Sequence, residues 1–246
     1  AWRSWRALAV APDGTVYVTD SRNQRVQRFA PTGEVLAVWG SLGSGEGQFY
    51  RPEGIAVGPD GSVYVVDSRN HRVQRFSPEG RFLGIIARGG KGDDQLSAPT
   101  AVAVGLDGTV YVVSIYGYRV QHFSAAGEFL GAWGSEGAGP GQLGAVWGIA
   151  IAPDGTVYVS DTGNRRIQRL SASGEFLGAW GSEGKGRGQF TSPWGLCVSP
   201  QGAVYVADRG NRSIQRFSLQ GEPQAVWAPT EGSEVVLQEP VAVAAA

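Results

Sequence analysis

Methionine is absent from the 246 residues, and cysteine, histidine and lysine are almost absent, with one Cys, two His and two Lys. A single cysteine, Cys197, can form neither a disulfide framework nor a multi-thiolate metal site within one chain. His71 and His122 are too few for a three-histidine zinc site. No run approaches the ~20 apolar residues a membrane helix needs. No charged-then-apolar leader opens the chain, and a chain without Met reads as a mature or excised piece. The formal net charge is −1, which excludes a bulk binder of polyanions and makes nucleic acid an unexpected partner.

What is present is glycine, 38 residues of it, spread evenly along the chain with short apolar runs between. That distribution suits an all-β protein with many strands and turns. The decisive feature is an internal repeat, because periods of 20–50 residues mark solenoids and propellers. Gly14, Gly61, Gly108, Gly155 and Gly202 stand 47 residues apart without a slip, as do Tyr17, Tyr64, Tyr111, Tyr158 and Tyr205. Gln27, Gln74, Gln121, Gln168 and Gln215 keep the same step. The copies run approximately over 6–52, 53–99, 100–146, 147–193 and 194–240 of a single domain, with 241–246 restarting the unit.

Four strands are expected in each copy, in the second at Gly54 to Val57, Ser62 to Val66, Arg72 to Phe76 and Phe82 to Ile86. Val63-Tyr64-Val65 favours a pleated surface, and Asp60-Gly61 is a hairpin signal because Gly accepts positive φ. A lone four-stranded meander cannot bury two apolar faces. Copies stacked radially cover one another, so the expected fold is a β-propeller.

Pro59-Asp60-Gly61, Val63-Tyr64-Val65, Asp67-Ser68-Arg69-Asn70-His71-Arg72-Val73 and Gly80 together resemble the NHL repeat in its bacterial form. The resemblance implies a propeller of six blades. Val241-Ala242-Val243-Ala244 then reads as the first strand of a sixth blade, whose other strands either come from a neighbouring chain by self-association or have been cut from the sequence given. A closed five-blade ring is the alternative.

Departures from the repeat point to sites. The positions at the start of each first strand, beside the central channel, are Arg6, Glu53, Thr100, Trp147, Trp194 and Val241. Copy three replaces the Asp-Ser-Arg-Asn-His run with Ser114-Ile115-Tyr116-Gly117-Tyr118. Tyr116, Tyr118, Trp147 and Trp194 are expected to form an aromatic patch for a protein, peptide or small ligand, with Glu53 and Arg6 as polar neighbours. Against this stands a reading of the tryptophans as packing under the long loops. Asp20, Asp67 and Asp161 each precede an arginine by five residues, a pair that would lock the loop. Arg22, Arg69, Arg165, Arg209 and Arg212 are left over for an anionic ligand or partner. Asp13, Asp60, Asp107 and Asp154 are expected to serve their Asp-Gly turns.

Related propeller lyases and lactonases hold a divalent metal in the channel on His, Asp, Asn or Glu. Here the first strands offer mostly Ala, Val, Ile and Gly, so no metal, cofactor or catalytic set is expected. The expected function is a non-catalytic binding scaffold. A metal-dependent lyase or lactonase-like hydrolase is the first alternative, and a repeat-amplified or designed propeller without a ligand is the second.

Overall fold

The computed structural model describes residues 5–90, 92–228 and 240–244. Blade one comprises β1 (Trp5–Val10), β2 (Val16–Asp20), β3 (Arg25–Phe29) and β4 (Val35–Trp39). Blade two comprises β5 (Pro52–Val57), β6 (Val63–Asp67), β7 (Arg72–Phe76) and β8 (Phe82–Ala87). Blade three comprises β9 (Pro99–Val104), β10 (Val110–Ser114), β11 (Val120–Phe123) and β12 (Phe129–Trp133). Blade four comprises β13 (Val146–Ile151), β14 (Val157–Asp161), β15 (Arg166–Leu170) and β16 (Phe176–Trp180). Blade five comprises β17 (Pro193–Val198), β18 (Ala203–Asp208), β19 (Ser213–Ser218) and β20 (Pro223–Trp227). Every blade is an antiparallel meander in sequence order, and each hairpin turn between the first two strands carries its glycine at positive φ.

The repeat's invariant columns become the contacts between blades. Tyr17 and Tyr158 are buried, and their hydroxyls donate to the Pro78 and Leu219 carbonyls of the following blade. Val63, Val65 and Phe76 of blade two pack with Tyr17 and Val26 of blade one in a single apolar cluster. Phe49, Leu96, Leu143 and Phe190, one from each inter-blade loop, are fully buried plugs. The glutamine column clamps those loops: Gln74 donates to the Gln48 carbonyl at 2.7 Å and accepts from the Gly47 amide at 3.0 Å. Such amide pairing satisfies loop backbone that the blade would otherwise bury unpaired.

The first strands pack side by side around the axis, β1 on β5, β5 on β9, β9 on β13 and β13 on β17. Their close approach requires glycine. A methyl group on Gly54 would stand 2.7 Å from the Ala101 Cα.

The blade count corrects the six-bladed expectation. Five four-stranded sheets are present among the described residues, and Pro240–Ala244 forms no strand. This segment occupies the place next to β17 all the same, since a methyl group on Gly195 would meet the Val241 carbonyl at 2.6 Å. It lies there as irregular backbone, with no second strand described to hydrogen-bond it. Among the described residues the outer faces on either side of this place lack the cover that the other blade faces have. Trp39, Trp133 and Trp180 each abut a glycine turn of the next blade, at Gly80, Gly174 and Gly221. Trp227, which holds the same position in blade five, is 48% exposed, and among the described residues nothing lies within 4 Å of the would-be Cβ at the matching turn, Gly33.

Candidate functional site

The first strands start at one mouth of the channel, where β5, β9, β13 and β17 each follow an inter-blade loop. Trp147 is the second residue of β13 and Trp194 the second residue of β17. Equal register on adjacent strands brings the two indoles face to face, with ring centroids 4.2 Å apart and planes 4° from parallel. The guanidinium of Arg209 lies 4.6 Å from the Trp194 ring centroid, and that of Arg6 lies 5.8 Å from it, both within cation–π range. Arg6, Glu53, Trp147 and Trp194 thus line one cavity, as the register of the repeat implies, together with Thr100 and Val241.

Glu53 is 6% exposed and accepts an ion pair from Arg51 Nε at 2.8 Å. Burial pushes its carboxyl above the ordinary value, against the pull of Arg51, Arg6 and Arg69. Arg51 belongs to the loop entering β5, and composition alone did not single it out. Its signal was its column, in which Ala98, Ala145 and Ser192 stand at the same place.

Tyr116 and Tyr118 are not among the residues lining this cavity. They sit on the loop between β10 and β11, the second and third strands of blade three. Tyr116 is 70% exposed, and Tyr118 holds a left-handed backbone at φ +48°, a position that Gln24, His71, Arg165 and Arg212 share in the other blades. The single aromatic patch of four residues is therefore reduced to the tryptophan pair.

The loop pairs form as their spacing implies. Arg72 Nε donates to Asp67 at 2.7 Å, Arg166 Nε to Asp161 at 2.7 Å and Arg25 Nε to Asp20 at 3.1 Å. Arg72 also donates to the carbonyls of Ser44, Gly45 and Gln48, so this buried pair ties blade two to its entering loop. Burial pushes the Asp67 carboxyl up even so, against the hydrogen bonds from Asn70, Tyr50 and Arg72. In blade three Ser114 replaces the aspartate, its hydroxyl is buried without a partner, and Arg119 turns to Asp93 instead. The arginines left over diverge. Arg22 and Arg69 line a second cavity, Arg165 pairs with Glu183 at 3.3 Å, Arg209 lies on Trp194, and Arg212 is exposed.

The Asp-Gly turns use their acids locally, with Asp60 and Asp107 accepting from the Ser62 and Thr109 amides. His71 Nδ1 accepts from the Ala98 amide and so caps the entry to β9. His122 stacks on Tyr111 at 5.7 Å, where other blades place an arginine over the tyrosine. Among the described residues no three His, Cys, Asp or Glu side chains are grouped to hold a metal ion. A divalent cation entering the channel would meet one carboxylate, Glu53, already engaged by an arginine. That lining does not fit a metal.

The model of the NHL repeat matches residues 6–29, 49–76, 144–170 and 190–217. The chain is an NHL-repeat β-propeller. The matched segments fall in blades one, two, four and five, while blade three, which has lost the Asp–Arg loop, is passed over. No curated protein matches the chain in sequence. Among solved structures it is similar to a streptogramin B lyase, at 16% identity and a TM-score of 0.72, over 98% of this chain and 73% of that one. It is similar to virginiamycin B lyase from Staphylococcus aureus, at 16% identity and 0.68, over 99% and 74%. It is similar as well to a chain of a nidogen/laminin complex, at 16% identity and a TM-score of 0.74, over 98% and 84%. Likeness at this identity shows the propeller fold, which serves a lyase and a binding complex alike.

Proposed function

We propose that this NHL propeller is a non-catalytic binding module whose channel mouth takes a protein or peptide partner. The observation that carries the reading is the Trp147–Trp194 stack, set at the rim of a cavity of about 90 Å³. Small-ligand pockets run to about 300–1,000 Å³, so this cavity has room for one side chain and not for a whole ligand. Paired tryptophans flanked by arginines at a rim are the composition of a binding hot spot. Peptides selected from a display library on the wild type should lose affinity for W147A/W194A while the fold is retained. Equal affinity would remove the reading. The lyase alternative predicts stoichiometric bound metal in the purified protein, measured by elemental analysis.

A second reading concerns association between copies. The exposed Trp227 and its stacked neighbour Tyr205, 6.1 Å away, present the kind of surface that each earlier blade hides under the next. Sedimentation over a range of concentrations tests whether this flank is covered by a second copy.

A further inference from the structure

The loop between the second and third strands of a blade is built around one carboxylate. In blades one, two and four a single oxygen of that carboxylate accepts both from an asparagine amide and from an arginine Nε. In blade two the three residues are Asp67, Asn70 and Arg72, and the other Asp67 oxygen accepts from the Tyr50 amide at 2.7 Å. Blade three keeps the arginine and loses both of its companions, with Ser114, Gly117 and Arg119 in the same three places.

Arg119 nonetheless stands where Arg72 stands. Its Nη2 donates to the carbonyls of Gly92 and Gln95, the counterparts of the Gly45 and Gln48 carbonyls that hold Arg72. Only Nη1 is given to an acid, Asp93, whose side chain is 87% exposed. Arg119 Nε, the atom that meets the carboxylate in the other blades, is buried with no partner among the described residues. So is the hydroxyl of Ser114, a residue only 1% exposed. The two border one place, because a methyl group on Gly117 would lie 3.5 Å from the Ser114 Cβ and 3.9 Å from Arg119 Nε.

That place is faced by donors. The Ser97 amide, counterpart of the Tyr50 amide, has lost the carboxylate that its equivalents reach in blades two, four and five. Buried donors left unmade are costly, and each calls for an acceptor. Water can accept these bonds but brings no charge. A guanidinium is always cationic, and a buried charge is stabilised by a counter-charge held close to it. An exposed acid such as Asp93 supplies little of that.

We propose that blade three binds a single halide ion, chloride in ordinary solution, between the Ser114 hydroxyl and Arg119 Nε, where it takes the part that a carboxylate plays in the other blades. The site lies in a loop away from the channel mouth and does not depend on the tryptophans.

Thermal unfolding of the whole protein, with sodium gluconate exchanged for sodium chloride at constant ionic strength, reads the site, since gluconate is too large to enter it. Chloride at about ten times its dissociation constant should raise Tm by about 3–5 °C. S114D/G117N restores the side chains of blade two, and its own carboxylate should cancel that chloride response. Wild-type crystals grown in bromide should show an anomalous peak between Ser114 and Arg119, a result that does not depend on the folding of the double variant. W147A/W194A should keep the full chloride response, which separates failure here from failure of the channel-mouth reading. A wild-type Tm indifferent to chloride, an equal response in folded S114D/G117N, or a water at the place of the bromide peak overturns the proposal.

Discussion

The indole of Trp147 lies flat on that of Trp194, one residue from each of two neighbouring first strands. Both are partly buried, so the pair contributes to the rim more than to the core. Aromatic pairs of this kind contribute about 0.5–1.5 kcal/mol beyond the area they bury. W147A is expected to lower stability by about 1 kcal/mol in denaturant unfolding and to change the near-ultraviolet circular dichroism of the remaining stacked indole. A loss of several kcal/mol would make the pair a core element and weaken its assignment to binding.

The Asp–Arg pairs are chemically alike and differ in burial. Arg72 is almost wholly shielded, while the Arg25 side chain is 37% exposed. Removing one partner of a buried pair leaves an uncompensated charge, at a cost of about 3–5 kcal/mol. Asp67 and Asp20 are both buried, but Arg72 is shielded and also donates to three loop carbonyls, whereas water reaches Arg25 and takes its place when it is removed. R72A should therefore destabilise far more than R25A, as read from urea midpoints at equal slope. Similar losses from the two variants would contradict the burial argument.

Both of those relationships were legible in the sequence. A 47-residue period places equivalent residues on adjacent strands, so Trp147 and Trp194 had to meet, and a five-residue spacing across one loop had to bring Arg72 back to Asp67. Tyr116 and Tyr118 were misplaced because sharing a face of the propeller is a weaker condition than sharing a radius: their loop lies beyond β10, away from the axis. Arg51 was hidden in a connector that composition marks as glycine-rich turn. The sixth unit misled for a different reason. A strand is defined by its hydrogen-bonded neighbour, and Val241–Val243 repeats the pattern of a first strand with no second strand described beside it.

Glu53 offers a pH test with a definite sign. Its carboxyl is raised above the ordinary value because burial outweighs the three arginines. A group raised on folding contributes stability that is fully present below its unfolded pKa and is lost as pH rises through its folded pKa. Above its folded pKa the carboxyl therefore carries a charge that the fold disfavours. E53Q is expected to melt higher than the wild type at pH 7, with the gap closing as the pH falls towards the acid range. If E53Q melts lower at pH 7 and the deficit closes in acid, the Arg51 pair outweighs burial.

Cys197 stands in a column otherwise filled by Ala9, Ala56, Ala103 and Ala150, and burial pushes its thiol up to about 12. A thiol so far from ionisation is a poor nucleophile. Iodoacetamide at pH 8 should label the native protein many times more slowly than the protein in urea, and C197A should cost less than about 1.5 kcal/mol, as small swaps at packed sites do. Rapid native labelling would show that the side chain is reached by solvent.

The two ends of the blade series make the sharpest comparison within one molecule. Trp180 and Trp227 hold the same position in blades four and five, and each has an aromatic neighbour in its own sheet, Tyr158 and Tyr205. Trp180 is covered by the Gly221 turn of blade five, whereas Trp227 is 48% exposed. Truncating a packed tryptophan costs about 3–5 kcal/mol, so W180A should bring a loss of that order while W227A costs about 1 kcal/mol or less. The second change should have a further effect that the first lacks. If copies of the chain cover this flank, W227A shifts sedimentation towards the monomer at a given concentration, because the largest apolar side chain of the uncovered face has been removed. An unchanged sedimentation profile, with W227A no less stable than the wild type, would mean that the flank faces water and that no second copy covers it.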